Sequence, residues 1–521
     1  MRRLLATVLL AAALTGCATN PVTGRKEIQM VSEGQEIQLG QQYYGPSRQS
    51  QGGDYVTDPR VTQYVQQVGN RLAAVADRPL PYEFVVLNSG ELNAWALPGG
   101  KIAINRGLLI ELQNEAELAA VLGHEIVHAA ARHGAQQMEK GQLLQIGAAI
   151  ATIGAAAYGG SDLGNVVGQG AAVGAQMLQA KYGRDDELES DLYGMKYMKL
   201  AGYDLQAAVS LQELFVRKYS AGVEQDWMTG LFASHPPSQE RVDANRRTMM
   251  EKGGPGGDLG TERYQAATAG LKRAAPAYAK HQQALAAANK KDFATARRLA
   301  NEAVKLEPRE ARFHGLLGDL EMASENPRGA LAYFQKASQL DPGYFKPMVQ
   351  AGMAQYQLGN QAAAEPLLAK SMQLLPTAPG AYYLGRINED RGNSTEAVKL
   401  YKMAAASKSP LGEEALGRLV RLDLAQNPEA YLSIQPQLDN QGRVWITVGN
   451  RTTLPVSNVS LVVGVVDQNG RTVHGPERIG TGGDVIPGRK AVNLRTSLGP
   501  FNTGEVLRYV KWKVERARPA H

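Results

Sequence analysis

The sequence of 521 residues contains a single cysteine, Cys17. No disulfide can form within one chain, and every cysteine-rich zinc or iron-sulfur site is excluded. Aromatic residues are scarce at 6%, so the cores have to be built from Leu, Val, Ile and Ala. Neither sign of charge dominates: 56 Lys and Arg stand against 50 Asp and Glu, with no dense basic stripe. Nothing here speaks for nucleic acid as a partner. Long apolar runs are also lacking beyond the N-terminus. The nearest candidate, Leu143 to Tyr158 (LLQIGAAIATIGAAAY), is short and interrupted by Gln145, and reads as a buried or groove-lining helix. What is present is 44% apolar and 20% charged, the composition of globular domains, and at about 150 residues each the length predicts three or four of them.

The N-terminus accounts for the lone cysteine. Arg2 and Arg3 precede an apolar run from Leu4 to Leu14, the length of a signal-peptide core and too short to span a bilayer. It ends Leu14-Thr15-Gly16-Cys17, which resembles a bacterial lipobox. Cleavage there makes Cys17 the lipidated first residue and lowers the formal charge from +6 to +4 by loss of Arg2 and Arg3. Several acyl chains, at about 0.8 kcal/mol per buried methylene, hold a protein stably on a membrane. Ala18, rather than Asp, after the cysteine implies the outer membrane of a Gram-negative bacterium. The expectation is a periplasm-facing protein, soluble beyond its lipid tether.

Composition divides the rest of the chain. The expected order is a signal peptide over 1–16, a tether and arm over 17–50, a mixed domain over 51–252 and a linker over 253–274 that opens on Gly253-Gly254-Pro255-Gly256-Gly257. A helical region follows over 275–426, and a β domain over 427–521. The helical region repeats. Ala296, Ala330 and Ala364 stand 34 residues apart, with Ala397 after a further 33. Gly318, Gly352 and Gly385 keep the same rhythm, and Pro308, Pro342 and Pro376 close successive units. Small residues at fixed places allow two helices per unit to pack closely. This resembles tetratricopeptide repeats, three to four of them, with Glu413 to Leu424 as a capping helix. Stacked units make a concave groove suited to protein segments. In the last region, Asp439-Asn440-Gln441-Gly442 and Asp467-Gln468-Asn469-Gly470 are turns between strand-like runs, and predict a small antiparallel β-sandwich.

The chemistry lies in the mixed domain. His124-Glu125-Ile126-Val127-His128 falls inside a helix opened by an expected capping box of Asn114 and Glu117. Residues four apart share a helical face, so both imidazoles can reach one metal ion. Glu125 is turned by about 100° from His124. Its carboxylate then lies beside the metal, where it suits a general base acting on water. Two such imidazoles on an apolar helix face without partners would be costly to bury.

A catalytic zinc needs a third protein ligand and an open fourth position. The metzincin arrangement requires Gly three and His six residues past the second histidine. Those places hold Ala131 and Gly134, and His133 falls one position early and turned well away from the ligand face. The gluzincin arrangement takes Glu from a second helix. In Glu187-Leu188-Glu189-Ser190-Asp191, Glu187 and Asp191 share a face. Glu187 can ligate zinc while Asp191 orients a ligand histidine through its free N–H. With no second thiol, any zinc site here is built from His and carboxylate.

Taken together, Asn93-Ala94-Trp95-Ala96-Leu97-Pro98-Gly99-Gly100, Gly107-Leu108-Leu109, His124 to His128 and Glu187 to Asp191 resemble the HtpX and CAAX-prenyl-protease family of zinc endopeptidases. Asn20-Pro21-Val22-Thr23-Gly24-Arg25 and Ser32-Glu33 resemble the mature start of its lipoprotein members, those with a following repeat domain above all. The resemblance covers residues 20 to 425. It implies a mainly helical metallopeptidase domain with a small sheet, ahead of an α-solenoid of repeats and the β-sandwich. It implies one zinc per chain on His124, His128 and Glu187, with Glu125 as base. In His235-Pro236-Pro237-Ser238-Gln239-Glu240-Arg241, it implies that His235 stabilises the oxyanion or serves as a fourth ligand, and that Arg241 anchors substrate or the zinc-site carboxylates. Ser190 replaces the family's usual Ala. The β domain is an addition whose role does not carry over.

Lys101 to Asn105 alternates polar and apolar residues like an edge strand, so an extended substrate is expected to pair with it. The expected function is zinc-dependent cleavage of unfolded or misassembled envelope proteins. The repeats would bind protein partners, including the outer-membrane assembly machinery. The competing expectation is a chaperone or assembly factor with residual or latent proteolysis; a metal-free scaffold is a third.

Overall fold

The computed structural model describes residues 17–139, 182–220 and 234–520. The signal peptide and the Leu143 to Tyr158 run lie outside the described residues. Contacts divide the chain into two compact units, one reaching Gly359 with Gln373–Leu375, the other Asn360–Met372 with Pro376–His521. No helix of the described residues is long and apolar enough to cross a membrane.

The first unit opens with a two-stranded ribbon, β1 (Cys17–Thr19) and β2 (Lys26–Ile28), pairing Cys17 with Ile28. Helix α1 (Glu33–Ser50) starts at Ser32, whose side chain accepts from Gln35 N while the Gln35 side chain accepts from Ser32 N. Helix α2 (Pro59–Ala73) is started by Asp58 and the Pro that follows it, and buries a stripe of Val61, Val65, Val68 and Leu72. Three strands follow: β3 (Glu83–Leu87), β4 (Ala94–Leu97) and β5 (Lys101–Asn105). Their order is β3-β5-β4, with β5 parallel to β3 and antiparallel to β4. The expected edge strand Lys101 to Asn105 is therefore the central one, and all five of its residues are buried. Its polar Lys101 is accommodated by an ion pair with Glu83 on the neighbouring strand. The edge next to it is β4, joined to β5 by the turn at Gly99 and Gly100, both at positive φ.

A short helix α3 (Arg106–Glu111) leads into α4 (Glu115–Ala130), the axis of the unit. Asn114 caps α4 by accepting from Glu117 N, but the Glu117 carboxylate accepts from Gln113 N, not Asn114 N, so the capping box is completed one residue earlier than expected. Nearly every residue of α4 is buried. Its Leu118, Leu122, Ile126 and Val127 pack in one core with residues of α5 (Arg184–Leu200), such as Met195, Tyr197 and Met198. The two helices cross at glycines. A Cβ on Gly194 would lie 3.0 Å from the His124 backbone nitrogen, and one on Gly123 3.2 Å from the Gly194 carbonyl oxygen. Helix α6 (Gln206–Ser220) packs on α4, and α7 (Gln239–Glu251) packs on both α5 and α6.

Residues 253–274, expected as linker, are loop only as far as Gly260. From Thr261 they form the start of α8 (Thr261–Asn289), whose Tyr264 and Leu271 are fully buried in the α4 core. An apolar face at helical spacing thus overrides the glycine signal just ahead of it. The end of α8 packs against α9 (Phe293–Leu306), and the helical pairs continue with α10 (Ala311–Ala323), α11 (Pro327–Leu340) and α12 (Phe345–Gln357). Ala296 and Ala330 are fully buried, and Gly318 lies against the Phe334 ring where a Cβ would meet it at 2.4 Å. The array is fastened to the preceding domain by Glu310, 1% exposed. Its carboxylate accepts from Thr57 Oγ1 at 3.0 Å, Asn88 Nδ2 at 3.0 Å and Tyr278 Oη at 2.5 Å.

The second unit contains α13 (Gln361–Leu374) as far as Met372, α14 (Ala378–Asp390), α15 (Ser394–Ala405) and α16 (Pro410–Asp423), the last at the place of the expected capping helix. Gly385 repeats the device seen at Gly318, here against the Tyr401 ring. Two antiparallel three-stranded sheets follow. One joins β6 (Leu432–Leu438), β7 (Val444–Asn450) and β10 (Ala491–Arg495); the other joins β8 (Val456–Val466), β9 (Thr472–Gly480) and β11 (Val510–Pro519). Val444, Ile446 and Val448 of the first sheet and Val459, Leu461 and Val463 of the second share one core, as in a sandwich. Both expected turns close, with Gly442 N on Asp439 O and Gly470 N on Asp467 O.

Candidate metal centre and active site

Helix α4 presents His124 and His128 on one side, as residues four apart must be. Their Nε2 atoms are 3.0 Å apart. The glycine crossing brings α5 close enough for Glu187 to meet them: Oε1 is 3.4 Å from His128 Nε2 and Oε2 is 3.5 Å from His124 Nε2. From the turn ahead of α7, His235 brings Nδ1 to 3.3 Å from His124 Nε2 and 2.9 Å from Glu187 Oε1. One atom from each of these four buried residues lies within 4.8 Å of the others. Ligands about 2.0–2.1 Å from a tetrahedral zinc stand roughly 3.3 Å apart, so the donor set and its spacing fit that ion.

Asp191, one turn along α5 from Glu187, takes the outer nitrogen of His124: Nδ1 to Oδ1 is 2.9 Å. Arg241, 5% exposed, secures both carboxylates. Its Nε donates to Asp191 Oδ2 at 2.7 Å and a terminal nitrogen to Oδ1 at 2.8 Å, while the other pairs with Glu187 Oε2 at 2.6 Å. Of its two expected roles, this geometry supports holding the carboxylates. Glu125 stands apart from the ligand atoms. Its Oε1 is 3.7 Å from His235 Nε2, and its Oε2 is buried with no hydrogen-bond partner among the described residues.

The charges divide accordingly. Burial raises the pKa of Glu125 against the opposing pull of His235 and His124. Burial acts the same way on Glu187, but there His235, Arg241 and His124 outweigh it and hold the carboxyl well below its ordinary value. Asp191 is likewise lowered, the Arg241 guanidinium overcoming the cost of burial. Burial pushes His128 well below the usual imidazole range, so it stays neutral, the form that ligates metal. Two acids one helix apart are thus driven in opposite directions, Glu187 toward a permanent anion and Glu125 toward a proton carrier. Beside them a pocket walled by Leu108, Val121, Met195 and Phe215 offers about 40 Å³ of room for water next to His124 and Glu125.

One residue that the sequence reading set aside belongs to the site. His133 does not continue the helix. Helix α4 stops at Ala130, and Arg132 takes φ 66° in the left-handed region, which folds His133 back over the last turn. Its Nδ1 lies 2.9 Å from Nδ1 of His128. Tyr182, also unforeseen, stacks on His128 with ring centroids 3.9 Å apart. The only sequence signal for either was the oddity of a third histidine so close to the motif. Cys17 lies in β1, and the same N-terminal arm reaches the site's margin, where Asn20 Nδ2 donates to Ala131 O at 3.0 Å.

Two histidines four apart on one buried helix, a carboxylate from a second helix and a glutamate with one free oxygen define a metallopeptidase of the gluzincin type. Residues 59–248 match the profile of peptidase family M48, and residues 281–345 that of a tetratricopeptide repeat. The chain belongs to peptidase family M48, whose members are zinc-dependent. Metalloprotease YcaL of Escherichia coli is 31% identical over 192 residues, 35% of this chain and 70% of that protein. The beta-barrel assembly-enhancing protease of Yersinia pestis is 28% identical over 406 residues, 72% of this chain and 80% of its own length. Its Escherichia coli counterpart is 30% identical over 237 residues, 44% of this chain and 47% of that protein.

Proposed function

We propose that this metalloendopeptidase is tethered to the bacterial envelope through Cys17 and cleaves unfolded or misassembled envelope proteins, outer-membrane proteins among them. The observation that carries the catalytic half is the convergence of four ligand atoms with the free oxygen of Glu125 beside them. The lipobox-like sequence before Cys17 supports the tether and the outer-membrane address, and the relatives' names support the substrate class. The repeats supply the protein-binding surface, with the outer-membrane assembly machinery as a candidate partner.

In this reading His124, His128 and Glu187 hold zinc. Zinc, when bound, supplies the Lewis acidity that polarises the scissile carbonyl and acidifies the attacking water. Glu125 takes the proton at its free Oε2, and its raised pKa suits it to hand that proton on to the leaving amine. Asp191 and Arg241 hold the ligands in place. The edge strand β4 is the one that an extended substrate can join, reading backbone more than side chain. His235, lying among the ligand atoms, has to turn aside before a peptide can enter, and from there can stabilise the oxyanion.

That closed geometry also favours a second reading, an assembly factor whose proteolysis is latent. One experiment separates them. Purified protein should contain one zinc per chain, and Glu125→Gln should keep the zinc while losing at least a hundredfold in cleavage of an unfolded outer-membrane protein. Full activity in Glu125→Gln would refute the catalytic assignment. Rescue of an envelope-assembly defect by that inactive variant would favour the assembly factor.

A further inference from the structure

The two ligand histidines are supported by different means. His124 gives its outer nitrogen directly to a carboxylate, Asp191. Among the described residues no carboxylate meets the outer nitrogen of His128. It faces another imidazole, Nδ1 of His133 at 2.9 Å, and the far side of that ring, Nε2, lies 3.2 Å from Glu189 Oε1. His133 is 2% exposed, so bulk water does not reach this contact.

The chemistry of two facing imidazole nitrogens is restrictive. Between them there is room for one proton. If His128 presents a bare Nε2 to the metal, its proton sits on Nδ1 and is donated outward. His133 must then accept at its own Nδ1, so its proton resides on Nε2, where the Glu189 carboxylate is placed to receive it. Ser190 Oγ also reaches His133 Nδ1, but at 3.5 Å it is at the limit of hydrogen-bonding distance and is the weaker partner of that nitrogen beside His128 Nδ1 at 2.9 Å. In the reverse one, a proton on His133 Nδ1 would put the His128 proton on Nε2, among the ligand atoms. One tautomer of His133 is compatible with a ligating His128, and Glu189 selects it.

The backbone is bent to achieve this. A non-glycine residue in the left-handed region is uncommon and is held only where its surroundings over-determine it. Arg132 is so held: its guanidinium pairs with Glu36, donates to Val31 O at 2.9 Å and reaches Glu139 at 3.2 Å. A helix that simply ran on would carry His133 away from His128.

We propose that His133 is a positioning residue for zinc binding, a relay by which Glu189 fixes the tautomer and orientation of His128. The inference rests on His128 being a ligand, and the controls test that separately. Zinc affinity would be measured by competition with a chelator for the full chain and for His128→Ala, His133→Phe and His133→Asn. Circular dichroism and melting of each zinc-free protein report whether it folds. His133→Phe removes the acceptor and should weaken zinc binding by about 10- to 100-fold. His133→Asn places an amide oxygen near the lost Nδ1 and should restore affinity to within about threefold of wild type, which a space-filling role would not predict. Histidine-selective ¹⁵N spectra of the zinc-loaded protein should show His133 as the Nε2–H tautomer, a readout that needs no variant to fold. Wild-type affinity in His133→Phe, equal weakness in His133→Asn, or an Nδ1–H tautomer would each overturn the inference. Wild-type affinity in His128→Ala would instead overturn the ligand assignment beneath it.

Discussion

Removal of the Glu310 carboxylate should loosen the repeat array where it is fastened to the peptidase core. Thr57, Asn88 and Tyr278 all donate to this one side chain, and Glu310 also caps α10 by accepting from Arg312 N at 3.1 Å. In Glu310→Ala the donors stay behind in a buried setting, each costing about 1–3 kcal/mol if left unpaired. Water entering the space left by the side chain returns part of that, which puts the net loss at about 3–5 kcal/mol. Asn88 should share it, because the same amide accepts from Arg106 Nε at 2.8 Å and so links Glu310 to a buried guanidinium. Hydrogen exchange of the α10 amides is the suitable assay, since it reads local opening rather than a global midpoint. At about 1.4 kcal/mol per decade, a loss of 3 kcal/mol speeds exchange a little over a hundredfold. In a double-mutant cycle, Asn88→Ala and Glu310→Ala should fall short of additivity by about 1–2 kcal/mol. Exchange accelerated less than tenfold, or additive effects of the two substitutions, would show that the carboxylate is not the fastening point.

Two further outcomes are expected. Gly194→Leu should abolish stoichiometric zinc, measured by metal analysis, because even a Cβ would stand 3.0 Å from the His124 backbone and the helix bearing Glu187 has to retreat; retained zinc would show that the crossing can relax. His281 is driven down to about 3 by burial and by the neighbouring Arg312, Arg106 and Lys346, while the unfolded chain takes its proton near 6.5. The unfolded state therefore binds more protons between those values, so stability is fully present above 6.5 and falls with pH, by about 2 kcal/mol at pH 5. Urea unfolding at pH 7 and pH 5 should show that loss in wild type and a smaller one in His281→Leu.

How far the sequence could be read depended on whether neighbouring residues carried the information. His124, Glu125 and His128 were readable because four-residue spacing on a helix places side chains without help from the rest of the chain. Glu187 and Asp191 were readable for the same reason, on their own helix, and so was the rhythm of Ala296, Ala330 and Ala364. Errors arose where a distant partner decides. Lys101 to Asn105 looked like an edge because Lys101 and Asn105 are polar, yet Glu83 across the sheet answers Lys101 and makes a central strand possible. His133 was put on the wrong side because nothing local announces that Arg132 leaves the helix; the ion partners that hold it there are Glu36, far behind it in the chain, and Glu139. The glycines from Gly253 signal a linker, expected to run to residue 274, but the buried period of Tyr264 and Leu271 begins before that, within a helix that opens at Thr261.

The crossing at Gly123 and Gly194 also sets an order of events during synthesis. The ligands on α4 leave the ribosome more than fifty residues ahead of Glu187, and the arginine that clasps the two acidic side chains, Arg241, comes later still. Until that last segment has emerged and docked, a partly made chain has histidines but no complete place to keep a metal. Metal capture is thereby tied to the packing of separate segments, α4, α5 and the stretch from His235 to Arg241, and not to the motif-bearing helix alone.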